Sequence, residues 1–598
     1  MPVPPPDEYR ARLARLRAAR DALVRRDRRL SAARLLVFAA ALLVAAFWWR
    51  GAAPVWWAAL PLAAFALLVH RHDRVIRARD AAARSIAFYE RGLARIEDRW
   101  IGTGEPGDRF GDDHHPYAAD LDLFGPGSLF ELLSVARTRA GEEALADWLA
   151  RPAPAAEIRL RQEAVSELAS ALDLREALAL AGADVRAGVD TTALVAWASA
   201  APVLRGRWRR AAAAALTCLA VATAAYGFAS GRYAPFIAVA AMEALFSIPQ
   251  RRRVEQALHA AEGPARDLDV LAHVLACLER GRFSAPRLAA LRGELEMAGL
   301  PASAAIGRLR RLVELHDWQH NQFFAPVAAA LLWGTHLAWA IEGWRRVHGV
   351  RAGGWLRTVG EFEALSSLAA YRYEHPADAW PDIVEGGARF DARALGHPLI
   401  PAARMVPNDV RLADAARLLV VSGSNMSGKS TLLRTVGINA VLAQAGAPVR
   451  AAELRLTPLA VGATLRIQDS LQEGRSRFYA EITRLRQLAD LAAGPAPLLF
   501  LLDELFQGTN SHDRLIGAAG LLGSLLDRGA IGLITTHDLA LTAIAGDLAP
   551  RALNVHFEDA FEGGEMRFDY RLKPGPVTRS NAIALMRAVG LDIDRPER

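Results

Sequence analysis

Four apolar stretches interrupt a chain that otherwise follows helical spacing over its first 385 residues, and they come in two pairs. Residues 35–49 and 51–69 are separated only by Arg50, and residues 211–231 and 233–249 only by Arg232. A helix needs ~20 apolar residues to cross a bilayer. Residues 51–69 suffice, and residues 35–49 reach that length if their helix extends back through Ser31 with Arg34 snorkelling. Trp48, Trp49, Trp56 and Trp57 cluster at the first turn, where an aromatic belt would lie. Arginines flank the outer ends of both pairs, among them Arg28, Arg29 and Arg34, then Arg207, Arg209 and Arg210, then Arg251, Arg252 and Arg253. The pattern predicts two transmembrane hairpins with all ends in the cytoplasm. Glu243 lies inside the fourth stretch, which is expensive in lipid unless it faces a partner helix or the interface. A fifth apolar run, residues 323–341, lacks arginine-rich flanks and reads as a buried helix.

Residues 128–150, 157–181, 254–280 and 302–320 each place apolar residues three and four apart, as amphipathic helices do. From Phe390 the pattern changes to short apolar runs alternating with helical stretches. The expected division is a basic helix at 1–34, a hairpin at 35–70, a helical linker at 71–119 and a helical core at 120–204. A second hairpin at 205–253, a core or lever at 254–385 and an α/β domain at 386–598 complete it.

Composition sharpens this picture in three ways. Hydrophobic residues make up 52% of the chain and its mean hydropathy is +0.11, high for a wholly soluble protein. The net charge of +7 suits an anionic partner, nucleic acid or lipid head groups, without choosing between them. Cys218 and Cys277 have no CxxC or histidine-rich company and read as buried thiols in a reducing compartment. Asp112, Asp113, His114 and His115 precede Pro116 with no ligand pair at helical spacing, so they read as a solvated turn and not a metal cluster.

The chemistry is concentrated where an apolar strand, residues 418–421, breaks into a glycine-rich turn and then a helix, residues 431–445. Gly423, Ser424, Asn425, Met426, Ser427, Gly428, Lys429, Ser430 and Thr431 follow the spacing G-x-x-x-x-G-K-[ST] of a phosphate-binding loop. Backbone N–H groups and the helix N-terminus there converge on phosphate, and the glycines permit approach that a Cβ would block. Lys429 would reach the β- and γ-phosphates of ATP, and Ser430 would ligate Mg²⁺. The chain has only two lysines, Lys429 and Lys573, so it departs from arginine where a compact charge is needed. A second apolar strand, 498–502, ends in Asp503 and Glu504, and a third, 530–535, in Thr536, His537 and Asp538. Asp503 would hold Mg²⁺ through its water shell and Glu504 would deprotonate the attacking water. A lone histidine such as His537 is equally able to sense the γ-phosphate or to serve structure.

The run SGSNMSGKSTLLRTVGINAVLAQAGAPV, with LLDELFQGTNSHDR and LITTHD, resembles the ATPase domain of the MutS family of mismatch-repair proteins. IQDSLQEGRSRFYAEI resembles that family's signature loop and FDYRLKPGPVTRSNAIALMRAVGL its C-terminal segment. SLFELLSVARTRAGEEALADWLARP followed by IRLRQEAVSEL resembles the start of its helical core. The resemblance implies that Asn425 belongs to the nucleotide loop, that His537 is the switch histidine, and that Ser476 approaches the γ-phosphate held by a second subunit. It thereby implies a homodimer with composite sites, and DNA as a partner.

The chain departs from the family at Arg477, Gln507 and Asn510 to Asp513. Too little chain precedes Asp120 for mismatch-reading and connector domains, so Phe88-Tyr89-Glu90 is expected to match the family's F-x-E by coincidence. The expectation is a multidomain, multi-pass protein of the cytoplasmic membrane, an α-helical lever with two hairpins joined to an α/β P-loop ATPase that uses ATP and Mg²⁺. Its work would be ATP-dependent DNA binding. The alternative is a membrane-linked sensor, scaffold or transport machine without DNA, although no LSGGQ-like signature is found.

Overall fold

The computed structural model describes residues 3–52, 54–181, 191–204, 206–296, 300–320, 324–413, 415–424, 426–465, 477–506, 511–562 and 565–577. The arginine-rich start and the first apolar stretch form one 45-residue helix, α1 (Pro5–Trp49), which returns along α2 (Ala59–Ile96). The two ends of this hairpin differ. Near the turn Leu36, Leu43, Trp49 and Leu60 are exposed, whereas at the open end Tyr9, Leu13, Ile86, Phe88 and Tyr89 are buried together. Phe88 and Tyr89 are therefore occupied in a hydrophobic seam, and Glu90 pairs with Arg17 at 2.7 Å. That seam gives Phe88 and Tyr89 a place in the hairpin's packing.

The helical body continues through α3 (Leu129–Leu133), α4 (Arg139–Ala150), α5 (Ala155–Ser170), α6 (Leu172–Ala181) and α7 (Thr191–Ser199). The expected helix over 128–150 is two helices. Thr138 caps α4 by accepting from Gly141 N–H, so the chain turns there. The helix expected over 157–181 is likewise broken, at Ala171, between α5 and α6.

The second apolar pair forms α8 (Arg207–Ser230) and α9 (Ala234–Ser247), joined at Gly231 with φ +70°. Among the described residues, Pro5–Trp49 and Trp208–Ser230 are the helices long and apolar enough to cross a membrane. Leu219, Val221, Phe228, Ile237 and Leu245 point outward, as does Cys218, which corrects the expectation of two buried thiols. Cys218 lies on an outward apolar face, while Cys277 is half-buried. Glu243 is buried, on the inward side of α9.

α10 (Arg251–Arg280), α11 (Pro286–Glu296) and α12 (Ala302–Asp317) pack around a 42-residue helix, α14 (Trp333–Glu374). At ~1.5 Å per residue α14 is about 60 Å long. Residues 323–341 are not one buried helix. A short α13 (Ala325–Ala330) ends and the chain breaks at Leu332, whose φ of +46° is left-handed, before α14 begins. Leu337, Ala338 and Ile341 are buried as expected, but Val327 is exposed. Close crossings fix the lever: a Cβ on Gly360 would lie 2.6 Å from the Ala140 carbonyl oxygen.

The C-terminal region holds two sheets. β1 (Asp382–Ile383), β2 (Phe390–Leu395), β3 (Asn408–Leu412) and, later, β5 (Glu453–Leu456) make the sheet β1-β5-β2-β3. The larger sheet has the order β10-β9-β4-β8-β7-β6. Its strands are β4 (Leu418–Ser422), β6 (Ala460–Thr464), β7 (Leu498–Leu502), β8 (Ile531–Thr536), β9 (Ala552–Glu562) and β10 (Glu565–Pro574). All adjacent pairs are parallel except β9 with β10. Every residue of β4, β7 and β8 is buried, as parallel strands covered on both faces require. α15 (Lys429–Ala445), α16 (Arg477–Leu491), α17 (Ser511–Asp527) and the short α18 (Ile544–Asp547) supply those covers.

Candidate functional site

β4, β7 and β8 are neighbours, and their carboxyl ends carry the groups singled out from sequence. After Ser422 the chain turns through Gly423 at φ +152°, Met426 at +71° and Gly428 at +99°, and α15 starts at Lys429. A Cβ on Gly423 would meet the Phe557 carbonyl oxygen at 3.0 Å, so glycine is required by space as well as by φ. Lys429 is buried, and its Nζ donates to the carbonyls of Gly423 (3.0 Å) and Ser424 (2.7 Å). Burial draws the ammonium below its usual pKa, opposed by the carboxylates of Glu504, Asp503 and Asp559.

Ser430 and Asp503 come together across the strand ends: Ser430 Oγ donates to Asp503 Oδ2 at 2.7 Å. Thr535 at the end of β8 donates its hydroxyl to Asp503 Oδ1 and accepts from Glu504 N–H at 3.1 Å. Thr535 is a residue sequence reasoning missed; its signal was a hydroxyl at the end of a buried strand next to Asp503. Glu504 adopts φ +50°, and its Oε1 lies 3.2 Å from His537 Nδ1. The structure thus brings His537 to Glu504.

These groups open onto a cavity of about 760 Å³. Gly428, Lys429, Ser430 and Thr431 line one side with Asp503 and Glu504, and His397, Met405, Asn408 and Tyr570 line the other. Met426 also reaches the cavity and is otherwise exposed. Tyr570 sits on a register shift of β10, with φ +52°, so that its ring approaches Gly428. Asn408 holds that bulge, donating to Tyr570 O at 3.0 Å and accepting from Leu572 N–H at 2.7 Å. The opposite wall was not legible from spacing, because it is assembled from three separate segments. His397 is kept neutral there, its pKa drawn down to about 4 by burial and then by Arg434.

The residues fit a nucleotide and its metal. Among the described residues the buried hydroxyls of Ser424 and Ser427 have no hydrogen-bond partners. Ser430 and Asp503 form the oxygen-only donor pair that Mg²⁺ takes. Among the described residues no group of three or more His, Cys, Asp or Glu could hold a metal elsewhere. Asn425 and Ser476 fall outside the described residues, as do Gln507 and Asn510.

The turn at 112–115 serves the domain junction. Arg484 of α16 donates to the carbonyls of His114 (3.2 Å) and His115 (2.6 Å) and to Asp120 Oδ2 (3.1 Å).

Residues 419–594 match the family model described as MutS domain V. "DNA mismatch repair protein MutS 2" of Halobacterium salinarum is 36% identical over 243 residues, 39% of this chain and 27% of the relative. "DNA mismatch repair protein MutS" of Thermus aquaticus is 34% identical over 240 residues, 39% of this chain and 28% of the relative. "Endonuclease MutS2" of Thermus thermophilus is 34% identical over 213 residues, 34% of this chain and 27% of the relative. The chain thus spans little more than a quarter of the length of these relatives.

Proposed function

We propose, from the premise that this chain is a MutS-family protein through its C-terminal domain V, that it is a membrane-held ATPase whose nucleotide cycle drives its helical lever against DNA. The observation that carries the ATPase reading is the convergence of Lys429, the Ser430–Asp503 pair and the Glu504–His537 pair at the ends of three adjacent parallel strands. Mg·ATP, when bound, would supply an electrophilic γ-phosphorus, and its metal would offset the charge that develops on the phosphate oxygens. Lys429 leaves the Gly423 and Ser424 carbonyls to meet the phosphates, and the Ser424 and Ser427 hydroxyls donate into the loop. Ser430 and Asp503 orient the metal, Thr535 fixing the carboxylate of Asp503. Glu504 Oε would accept a proton from the water whose oxygen bonds to the γ-phosphorus as the β–γ bridging oxygen leaves with ADP, and His537 would hold that carboxylate in place. By the family resemblance Asn425 would contribute to nucleotide binding and Ser476 of a second copy would complete the site, in a homodimer.

The membrane reading is supported by the outward apolar faces of both hairpins and by their arginine flanks, and with it the positive-inside rule would assign the ATPase domain to the cytoplasmic side. A second reading, a membrane-linked sensor, scaffold or transport device without DNA, is favoured by one observation. Phe88 and Tyr89 are committed to the hairpin seam and are unavailable to a mismatch. ATP hydrolysis by full-length protein in detergent, without DNA and with matched, mismatched and branched duplexes at two salt concentrations, separates the readings. Stimulation that falls with salt supports DNA binding. Hydrolysis indifferent to every DNA supports the second reading, and no hydrolysis by wild type under any condition overturns the ATPase.

A further inference from the structure

A second cavity, also of about 760 Å³, lies away from the nucleotide site, between the second hairpin and the break that separates α13 from α14. Ala240, Glu243 and Ser247 of α9 line it on one side, and Pro326, Ala329 and Thr335 on the other. Glu243 is 3% exposed, and among the described residues its buried Oε1 has no hydrogen-bond partner. A carboxylate in such a place is expensive unless a cation or a proton meets it. The other charges at the rim already satisfy each other: Arg251 Nε pairs with Glu255 Oε1 at 2.9 Å. The net charge facing the cavity is therefore that of Glu243.

Three further features describe what the cavity accepts. Its volume falls in the range of small-molecule sites. Most of its wall is alanine, proline, leucine and tryptophan, so the occupant is largely apolar. The helix break leaves backbone in an irregular conformation at Leu332, and Thr217 of α8 braces it by donating to Leu331 O and bonding His336 Nε2. Interrupted helices that line a cavity beside membrane segments are a recurrent way to place polar backbone around a ligand. We propose that this cavity is a binding site for an organic ammonium ion, its charged nitrogen against Glu243 and its apolar body against Ala240, Ala329 and Pro326. The same chemistry is offered by a free alkylamine and by the head group of an aminophospholipid. The proposal does not rest on the nucleotide chemistry.

The test uses full-length protein in phosphatidylglycerol nanodiscs and dicyclohexylcarbodiimide, which modifies carboxyl groups in apolar surroundings. Modification of Glu243 is read by peptide mass spectrometry. Hexylammonium should protect Glu243, while hexanol and hexanoate should not. Replacing part of the lipid with phosphatidylethanolamine should protect without added amine if the head group is the ligand, and leave the hexylammonium response unchanged if a free amine is. Ala240→Leu, which fills the cavity and keeps the carboxylate, should raise the protecting concentration by about tenfold or more, the loss of roughly one well-made contact. Glu243→Gln should abolish binding of hexylammonium measured directly by calorimetry. Equal protection by hexanol, an unaltered response in Ala240→Leu, or failure of the reagent to reach Glu243 at all would each overturn the assignment.

Discussion

Replacing Glu374 by glutamine removes the anion from the most completely buried ion pair of the hairpin seam. Arg95 Nε and Nη2 each reach a carboxylate oxygen of Glu374 at 2.6 Å, and Tyr9 OH donates to the same group at 3.2 Å. The two side chains are 5% and 0% exposed, so no water takes over when one partner is lost. Breaking such a pair from one side costs about 3–5 kcal/mol, because it leaves a buried charge uncompensated. That energy does not appear as a shift in one global transition, since a chain of several domains does not unfold in two states. It appears as local opening of the seam formed by α1, α2 and the end of α14. Amide exchange in residues 86–95 of Glu374→Gln should accelerate by about 10²–10⁴-fold, while α15 and β4 keep wild-type rates. The double variant Arg95→Met with Glu374→Leu should recover most of the protection, because an apolar pair carries no desolvation debt. Exchange within threefold of wild type in Glu374→Gln, or a double variant no better protected than the single one, would refute the idea that this pair clamps the hairpin to the lever.

At the nucleotide site, Lys429→Ala should lose ATP binding, whereas Glu504→Gln should bind ATP and fail to turn it over; filter binding and phosphate release distinguish the two. Glu363 is fully buried where it accepts N–H groups from Arg137 and Thr138, and burial pushes it up to about 7 from 4.5. Its native form then holds a proton that the unfolded chain has released, so stability falls as pH rises between about 4.5 and 7. Amide exchange over residues 137–141 should quicken through that window, and Glu363→Gln should flatten the response. Cys218 faces outward on α8, so a membrane-impermeant maleimide should leave it unlabelled in sealed vesicles and label it after solubilisation. Rapid labelling in intact vesicles would remove α8 from the bilayer.

The nucleotide loop and both acidic strand ends were legible because each depends on local spacing. β4 and β7 begin and end where apolar runs stop, and a glycine that must approach Phe557 or adopt positive φ announces itself. Thr535, Tyr570 and Asn408 were not legible, because they reach the site only through strand order and a register shift in β10. The helix breaks at 134–138 and at Leu332 were missed for a related reason. Apolar periodicity continues across both, and what interrupts the helix is tertiary: Glu363 of α14 takes up the N–H groups of Arg137 and Thr138, and α8 packs against Leu331.

α14 joins all these parts by its position alone. Its first turn faces the cavity that holds Glu243, its middle binds the N-terminus of α4 through Glu363, and its last residue is Glu374. Just before that end Tyr371 donates to Asp378 at 2.7 Å, and Asp378 pairs with Arg450 of the α/β region at 3.2 Å. This helix of about 60 Å is held by the buried Arg95–Glu374 pair at its end and by the Thr217–His336 hydrogen bond at its start. The two hairpins meet it at opposite ends, one at Glu374 and the other at Leu331 and His336. A displacement of Arg450 would reach the first hairpin through the last turn of α14, by way of Asp378, Tyr371 and Glu374, and the second hairpin through the length of that helix. If the proposed nucleotide cycle moves Arg450, the first hairpin is the nearer recipient of that movement, because Glu374 at the same end of α14 pairs with Arg95 of α2.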